Sequence, residues 1–272
     1  VSLSFCSPGG RFLARICGES SGNVLLRRAQ YRVADDAELS CAAARTMIFG
    51  KLYNSRWSLE RARRDHGLRI NDERLKSASA QLKNLLPQVA SAAHLDQLRG
   101  LEGVGAAAYF DVLDEMILNN KNEFFFHGRS RRPPLDAFNA MLSFAYSLLA
   151  NDCASALESV GLDAYVGFLH RDRPGRTSLA LDLMADRFVL TLVNNRVLVP
   201  DDFETRESGA VFMTDNARRI FLKGWQEKKK ETLTHPYLGE KLPWGMVPYI
   251  QALLLARYLR GDLDGYPPFL WK

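Results

Sequence analysis

A long apolar segment with helical spacing constrains the fold of this chain more than any other feature of its sequence. The segment follows Pro133-Pro134 and reads LDAFNAMLSFAYSLLANDCASALESVG as far as Gly161. Its apolar side chains recur every three or four residues, which is the spacing of one helix face, and a glycine commonly ends a helix. That face comprises Phe138, Met141, Leu142, Ala145, Leu149, Ala156 and Val160. An apolar helix needs other elements to cover it, so the segment predicts a mainly helical protein.

Helical patterns also occupy most of the remaining chain. One begins at a pair of capping aspartates and stops at Gly67, and another starts near Asn71. Three more are LDQLRGLEGVGAAAYFDVLDEMIL, NARRIFLKGWQEKKKE and WGMVPYIQALLLARYLRG, and ESGAVFMTD predicts a small hairpin. The first part of the chain instead alternates like strands around a Pro-Gly-Gly turn. We therefore predict the C-terminal part of an N-terminal β domain at residues 1–34 and an α-helical domain at residues 35–272.

Composition narrows the class of protein. With 272 residues, 47% of them hydrophobic and 25% charged, the chain has the content of an ordinary globular protein with a sizeable core. No apolar run is long enough to predict a membrane span, and the first residues do not read as a signal peptide. The cysteines are scattered without CxxC pairs, at Cys6, Cys17, Cys41 and Cys153. They are interpreted as buried thiols in a reducing compartment, so we expect a cytoplasmic protein.

Two arginine-rich loops indicate an acidic partner such as nucleic acid. The net charge is +5, and its distribution is more informative than its size. Guanidinium groups bind phosphate in a bidentate manner, whereas an ordinary solvated loop is the alternative interpretation. The lysine run in WQEKKKE is flanked by glutamates and fits a solvated surface better. The predicted DNA-binding residues are Arg129, Arg131, Arg132, Arg171, Arg173 and Arg176.

Several carboxylates and one histidine are candidates for a catalytic metal site. Glu102 lies among small residues that let a ligand approach, although a surface glutamate on a packed helix is the alternative. His170 ends an apolar segment where the arginine loop begins, although a core or capping histidine is the alternative. Asp182 and Asp186 are four residues apart, so that on a helix they would share a face, and either could complete a site or solvate a helix end. Mixed nitrogen and oxygen ligands suit Mg²⁺ or Mn²⁺ better than zinc.

Three sequence blocks, taken together, resemble a known protein family. They are LRGLEG, the stretch from FFFHGRSRRPP to LALDLM, and HPYLGEKLPWGMVPYIQALLLARYLRGDLDGYPPFLWK. They resemble the CRISPR-associated integrase of the spacer-adaptation step, the larger of the two universal adaptation proteins, and most closely its type I-C branch. The resemblance extends in order over nearly the whole chain. It implies an N-terminal β domain, an α-helical catalytic domain and a homodimer.

The resemblance also implies ligands, partners and a reaction. The first metal ligand of the family falls on Glu102 and the second on His170, with Mg²⁺ or Mn²⁺ as the cofactor. The implied reaction is a transesterification, in which the 3′-hydroxyl of a captured DNA fragment attacks a phosphodiester at the CRISPR repeat boundary. The implied partners are double-stranded DNA with 3′ overhangs, CRISPR repeat DNA and the small second adaptation protein. A further adaptation nuclease of the same operon is an additional candidate partner, and no membrane is involved.

The third metal ligand is where this sequence departs from the family. The family continues LALDLM with an acidic pair whose first member is the ligand, but here Ala185 occupies that place directly after Met184. The sequence reads as if a short segment were missing at this junction. If the chain truly lacks it, Asp182 or Asp186 has to substitute. This departure supports a competing hypothesis, a DNA-binding adaptation scaffold with a degenerate metal site. A second alternative is a general metal-dependent DNA-repair nuclease, which would share the metal and the arginines.

Overall fold

The computed structural model describes residues 3–6, 12–16, 24–170, 173–183, 190, 193–195 and 197–271. The helices of this part of the chain are α1 (Val24–Asp35), α2 (Ala37–His66), α3 (Asp72–Ser91), α4 (Leu95–Asp111), α5 (Ala137–Ser159), α6 (Ser178–Leu183), α7 (Asp215–Lys230) and α8 (Val247–Leu259). Its strands form antiparallel pairs, β1 (Leu3–Cys6) with β2 (Phe12–Ile16), β3 (Phe203–Thr205) with β4 (Val211–Met213), and β5 (Thr232–Thr234) with β6 (Lys241–Pro243). The predicted mainly helical fold is confirmed.

Local capping residues explain why the helix starts were readable from the sequence. The Asp36 carboxylate accepts hydrogen bonds from the backbone N–H groups of Glu38 and Leu39, each at 2.9 Å, and so begins α2. The Asn71 side chain likewise accepts from the N–H of Arg74 at the start of α3. After α5, Gly161 adopts a φ of 88°, a conformation that favours glycine. These helices and the hairpin of β3 and β4 confirm the sequence prediction.

Helix α1 differs from the prediction, because it lies where the strand-like pattern was extended to residue 34. Leu26 and Gln30, four residues apart, are the buried positions of this helix. The Gln30 amide donates to the carbonyls of Asp163 and Val166 at 2.8 and 2.9 Å and accepts from the N–H of Asp163. The burial of a helical face thus overrides the strand pattern here, and the described residues of the predicted β segment form strands at β1 and β2. The division of the chain into two domains remains a prediction.

The long helix α2 is the centre of the packing. It packs against α3 and α4, while α5 packs against α6 and α8, and α1 contacts both α2 and α8. Two glycines permit close approaches. A Cβ at Gly105 would lie 2.4 Å from Cδ2 of Leu52, and one at Gly50 would lie 2.8 Å from Cβ of Pro268. The small residues after Glu102 therefore allow α4 to approach α2, and the C-terminal segment crosses the other side of α2.

Two further predictions concern the burial of the cysteine thiols and the presence of a membrane-spanning helix. Cys41 and Cys153 are free and buried, and burial raises the pKa of the Cys153 thiol, which keeps it protonated and unreactive. Cys17 lies outside the described residues. None of the helices in the described ranges combines the length and hydropathy needed to cross a bilayer.

A buried histidine anchors the C-terminal segment. His235 is fully buried, and its Nδ1 accepts hydrogen bonds from the N–H groups of Tyr237 and Leu238 at 3.3 Å. Its Nε2 lies 3.2 Å from the side-chain amide of Gln251, which in turn is hydrogen-bonded to the hydroxyl of Tyr266. Since Nδ1 is an acceptor, the native ring is neutral, and burial lowers the pKa of His235.

This burial makes the stability of the fold dependent on pH. The unfolded chain binds a proton at this histidine below about pH 6.5, whereas the native protein does not until its lower pKa is reached. The free energy of unfolding should therefore fall as the pH is lowered from about 7.5 to 5.5, by up to about 1.4 kcal/mol per pH unit from this group. Urea denaturation of the wild type and of His235→Asn at several pH values measures it. An equally steep pH dependence in His235→Asn would contradict the assignment.

Candidate functional site

The sequence-predicted site residues that the structure describes line a single large cleft. The cleft has a volume of about 1620 Å³ and lies between α2, α4, α5, the segment around His170 and the C-terminal segment. Glu102 and His170 both line it, although they are 68 residues apart in the sequence. Cationic side chains outnumber carboxylates in its walls and comprise Lys51, Arg61, Arg99, Arg129, Arg131, Arg132, Arg173, Arg176, Lys228 and Lys229. The cleft is therefore suited to a polyanion.

Asp182 contacts the Nδ1 side of the His170 ring. Its carboxylate is buried, and Oδ1 is hydrogen-bonded to Nδ1 of the His170 ring and to the His170 N–H. Oδ2 accepts from the N–H groups of Phe168 and Leu169 at 2.9 and 3.1 Å. Both oxygens are engaged in orienting the His170 segment, and ligation by Asp182, one of the two candidates that could complete the site, stays a prediction. The ring nitrogen left to bind a ligand is Nε2 of His170.

The segment that carries His170 is also fixed by close packing and by α4. A Cβ on Gly167 would lie 2.9 Å from Oδ2 of Asp182 and from the backbone of Ser178, so that only glycine fits between this segment and α6. On α4, Arg99 donates to the carbonyl of Leu169 through Nε at 3.2 Å and Nη2 at 2.8 Å. Arg99 is three residues before Glu102 and thus on the same helix face. This arginine therefore ties the helix of one candidate ligand to the segment of the other.

Glu102 is paired with a lysine that the sequence did not indicate. Its carboxylate forms an ion pair with the ammonium group of Lys51, which lies on α2. Sequence spacing carries no signal for this contact, because it joins two helices. The helical spacing of the sequence does place Arg99 on the same face of α4 as Glu102, because it is three residues earlier.

The two arginine loops border the cleft in different ways. Arg131, Arg132 and Arg173 are exposed at its rim, and Arg176 is half-buried. Arg129 is held in the wall, where it donates to the Asn139 side chain at 2.7 Å and to Ser143 at 3.2 Å, and burial lowers its pKa. Asn139 also accepts from the Ser130 N–H and donates to the Gly128 carbonyl, which anchors the loop to α5. Arg171 and Asp186 lie outside the described residues, as does the Met184–Ala185 junction.

The lysine run of α7 is only partly the solvated surface that the sequence predicted. Lys228 forms an ion pair with Glu231 at 2.6 Å, and Lys230 forms one with Glu227 at 2.8 Å. The members of each pair are three residues apart in the sequence. Lys229 instead turns toward Asp152 of α5 and binds both of its oxygens, at 2.9 and 2.8 Å. This pair forms part of the cleft wall.

The donors in the cleft fit a divalent cation. Glu102 supplies carboxylate oxygens, His170 supplies an oriented imidazole nitrogen, and the ammonium of Lys51 already places a positive charge on the carboxylate. This donor chemistry suits Mg²⁺ or Mn²⁺, which retain water and bind substrate phosphate beside few protein ligands. Within the described ranges no group of three or more acidic, histidine or cysteine side chains forms a metal cluster.

Comparisons with known proteins place the chain in a family. A family model described as "CRISPR associated protein Cas1" matches residues 1–227. A relative from Rhodospirillum rubrum, named "CRISPR-associated endonuclease Cas1 2", is 52% identical over 283 aligned positions, which cover 100% of this chain and 81% of the relative. Because the chain has 272 residues, that relative has residues opposite gaps in this sequence.

Two solved structures share the fold. "Casposase bound to integration product" superimposes with a TM-score of 0.83 and 24% identity, covering 99% of this chain and 74% of that one. "Cas6-RT-Cas1--Cas2 complex" superimposes with a TM-score of 0.80 and 23% identity, covering 100% of this chain and 30% of that one.

Proposed function

Because the chain belongs to the family described as CRISPR associated protein Cas1, we propose that it is a metal-dependent DNA endonuclease and integrase that inserts captured DNA as new CRISPR spacers. The observation that carries the proposal is the placement of Glu102 and His170 in one arginine-lined cleft. The endonuclease name of the Rhodospirillum rubrum relative and the integration product bound to the casposase support the same chemistry.

The proposed reaction is a phosphodiester exchange. The 3′-hydroxyl of a captured fragment attacks a phosphorus atom at the repeat boundary, one P–O bond forms and one breaks, and the hydroxyl proton ends on the leaving oxygen. Glu102 and His170 would hold Mg²⁺ or Mn²⁺, which when bound polarises the phosphate and stabilises the charge that develops on it. Asp182 keeps the His170 ring oriented with Nε2 available. The rim arginines hold the flanking phosphates.

The proposed partners follow from the same family membership. The second structural neighbour is a complex that includes Cas2, which supports the small second adaptation protein as a partner. Double-stranded DNA with 3′ overhangs and CRISPR repeat DNA are the proposed substrates. The type I-C assignment, the homodimer, the additional nuclease partner and the cytoplasmic location remain predictions.

Strand transfer with purified protein tests this function. The protein, with and without the small partner, is incubated with a labelled 3′-overhang fragment and a repeat-containing plasmid in Mg²⁺, Mn²⁺ or chelator. Joined product is expected with either metal and none with chelator, while DNA binding persists in chelator and weakens steeply with salt. Binding without joining or cleavage in any metal would favour the scaffold hypothesis, for which Ala185 at the third-ligand position is the supporting observation. Cleavage without any affinity for the small partner would favour the repair nuclease.

A further inference from the structure

The ion pair between Lys51 and Glu102 occupies a carboxylate that the proposed metal also requires. In the described part of the chain, Lys51 is the cationic side chain that forms an ion pair with the Glu102 carboxylate. The pair is not sealed in the core, because the side chains are 38% and 19% exposed, respectively, and both line the cleft. A cation that enters the cleft therefore reaches the same oxygens from solvent.

The packing of the two residues beside Lys51 fixes its backbone, whereas its side chain is part-exposed in the cleft. Gly50 lies against Pro268 of the C-terminal segment, and Leu52 packs on Gly105 of α4, one turn after Glu102. These contacts hold Lys51 opposite Glu102. The flexible four-carbon arm of lysine nevertheless allows the ammonium group to turn away without movement of α2.

We propose that Lys51 is a built-in competitor for the metal, which holds the Glu102 carboxylate in the metal-free protein and releases it to the divalent cation. The inference rests on the metal site of the proposed function. An ammonium group and a divalent ion repel each other, so both cannot remain against one carboxylate at full strength. Lys51 thus keeps the Glu102 carboxylate oriented in the absence of metal, and it lowers the affinity of the empty site for metal.

Mn²⁺ titration of the DNA-free protein tests this competition without any measurement of activity. Free Mn²⁺ is followed by electron paramagnetic resonance in the wild type and in Lys51→Met, Lys51→Arg and Glu102→Gln. We expect Lys51→Met to bind Mn²⁺ about fivefold more tightly, which corresponds to about 1 kcal/mol, the upper value for a part-exposed ion pair. Lys51→Arg keeps the charge and should stay within about twofold of the wild type. Lys229→Met is the matched control, because it removes the same charge from the same cleft but breaks the pair with Asp152 instead.

The outcomes separate this inference from the proposed function. Tighter binding in Lys51→Met, with little change in Lys51→Arg and Lys229→Met, supports the competition. Unchanged or weaker binding in Lys51→Met, while Glu102→Gln loses the site, overturns the role of Lys51 and leaves the metal site intact. An equal gain in Lys51→Met and Lys229→Met also overturns it, because only the overall charge of the cleft would then matter. Wild-type Mn²⁺ binding in Glu102→Gln overturns the metal site itself and the inference with it.

Discussion

Replacement of Glu102 by glutamine or of His170 by alanine should reduce strand transfer by at least about a hundredfold. Loss of a group that only supports a metal ligand already costs about 10- to 100-fold, and these two side chains are the proposed ligands themselves. DNA binding should remain within about twofold of the wild type, since the rim arginines are unchanged. Strand-transfer rates in Mn²⁺ and a DNA-binding titration in chelator measure the two effects separately.

The matched control for Glu102→Gln is Glu73→Gln. Glu73 is an exposed carboxylate of α3 whose ion-pair partner is Lys76, and it does not line the cleft. The same change of charge there should leave the rate of joining unaltered. Joining at the wild-type rate by Glu102→Gln or His170→Ala would refute the assignment of these residues.

Replacement of Asp182 by alanine should destabilise the fold and loosen the metal site together. The change leaves three backbone N–H groups and the His170 ring without their buried acceptor, and each buried donor left unsatisfied costs about 1–3 kcal/mol. Affinity for Mn²⁺ should fall by about 10- to 100-fold, because the imidazole loses the group that orients it. Urea denaturation and Mn²⁺ titration measure the two quantities.

Two further variants keep this prediction testable if the alanine variant does not fold. Asp182→Asn retains an oxygen acceptor, so it should lose less stability, about 1–3 kcal/mol, and remain soluble. Asp262→Asn removes an exposed carboxylate that pairs with Arg260 and does not line the cleft, and it should change the free energy of unfolding by less than about 0.5 kcal/mol. A loss in Asp182→Ala no greater than that in Asp262→Asn would show that the carboxylate does not hold the segment.

Local interactions account for what the sequence predicted. The starts of α2 and α3 depend on Asp36 and Asn71, whose partners lie two or three residues away, and such signals are visible in a one-dimensional sequence. Glu102 and His170 were each detectable from their neighbours in the chain and from the family blocks around them. Their meeting in one cleft is a product of the fold.

Long-range contacts account for what the sequence did not predict. The contact of Lys51 with Glu102 depends on the approach of α2 to α4, for which the only sequence trace is the glycine at position 105. The spacing of Asp182 and Asp186 leaves open whether Asp182 completes a site or solvates a helix end, because the direction of its side chain is set by the return of the chain over α6. Helix α1 shows the same limit, because the partners of Gln30 lie near residue 163.

His170 and Glu102 differ in how far the folded protein has already arranged them for a cation. Folding has already oriented the His170 ring through Asp182, so a cation that arrives there orders nothing further. The carboxylate of Glu102 is instead paired with Lys51, so a cation bound there would have to displace the ammonium group. Added salt weakens a part-exposed ion pair, and it also weakens contacts to DNA phosphates. Ionic strength therefore loosens both the hold of Lys51 on Glu102 and the hold of the arginines on DNA.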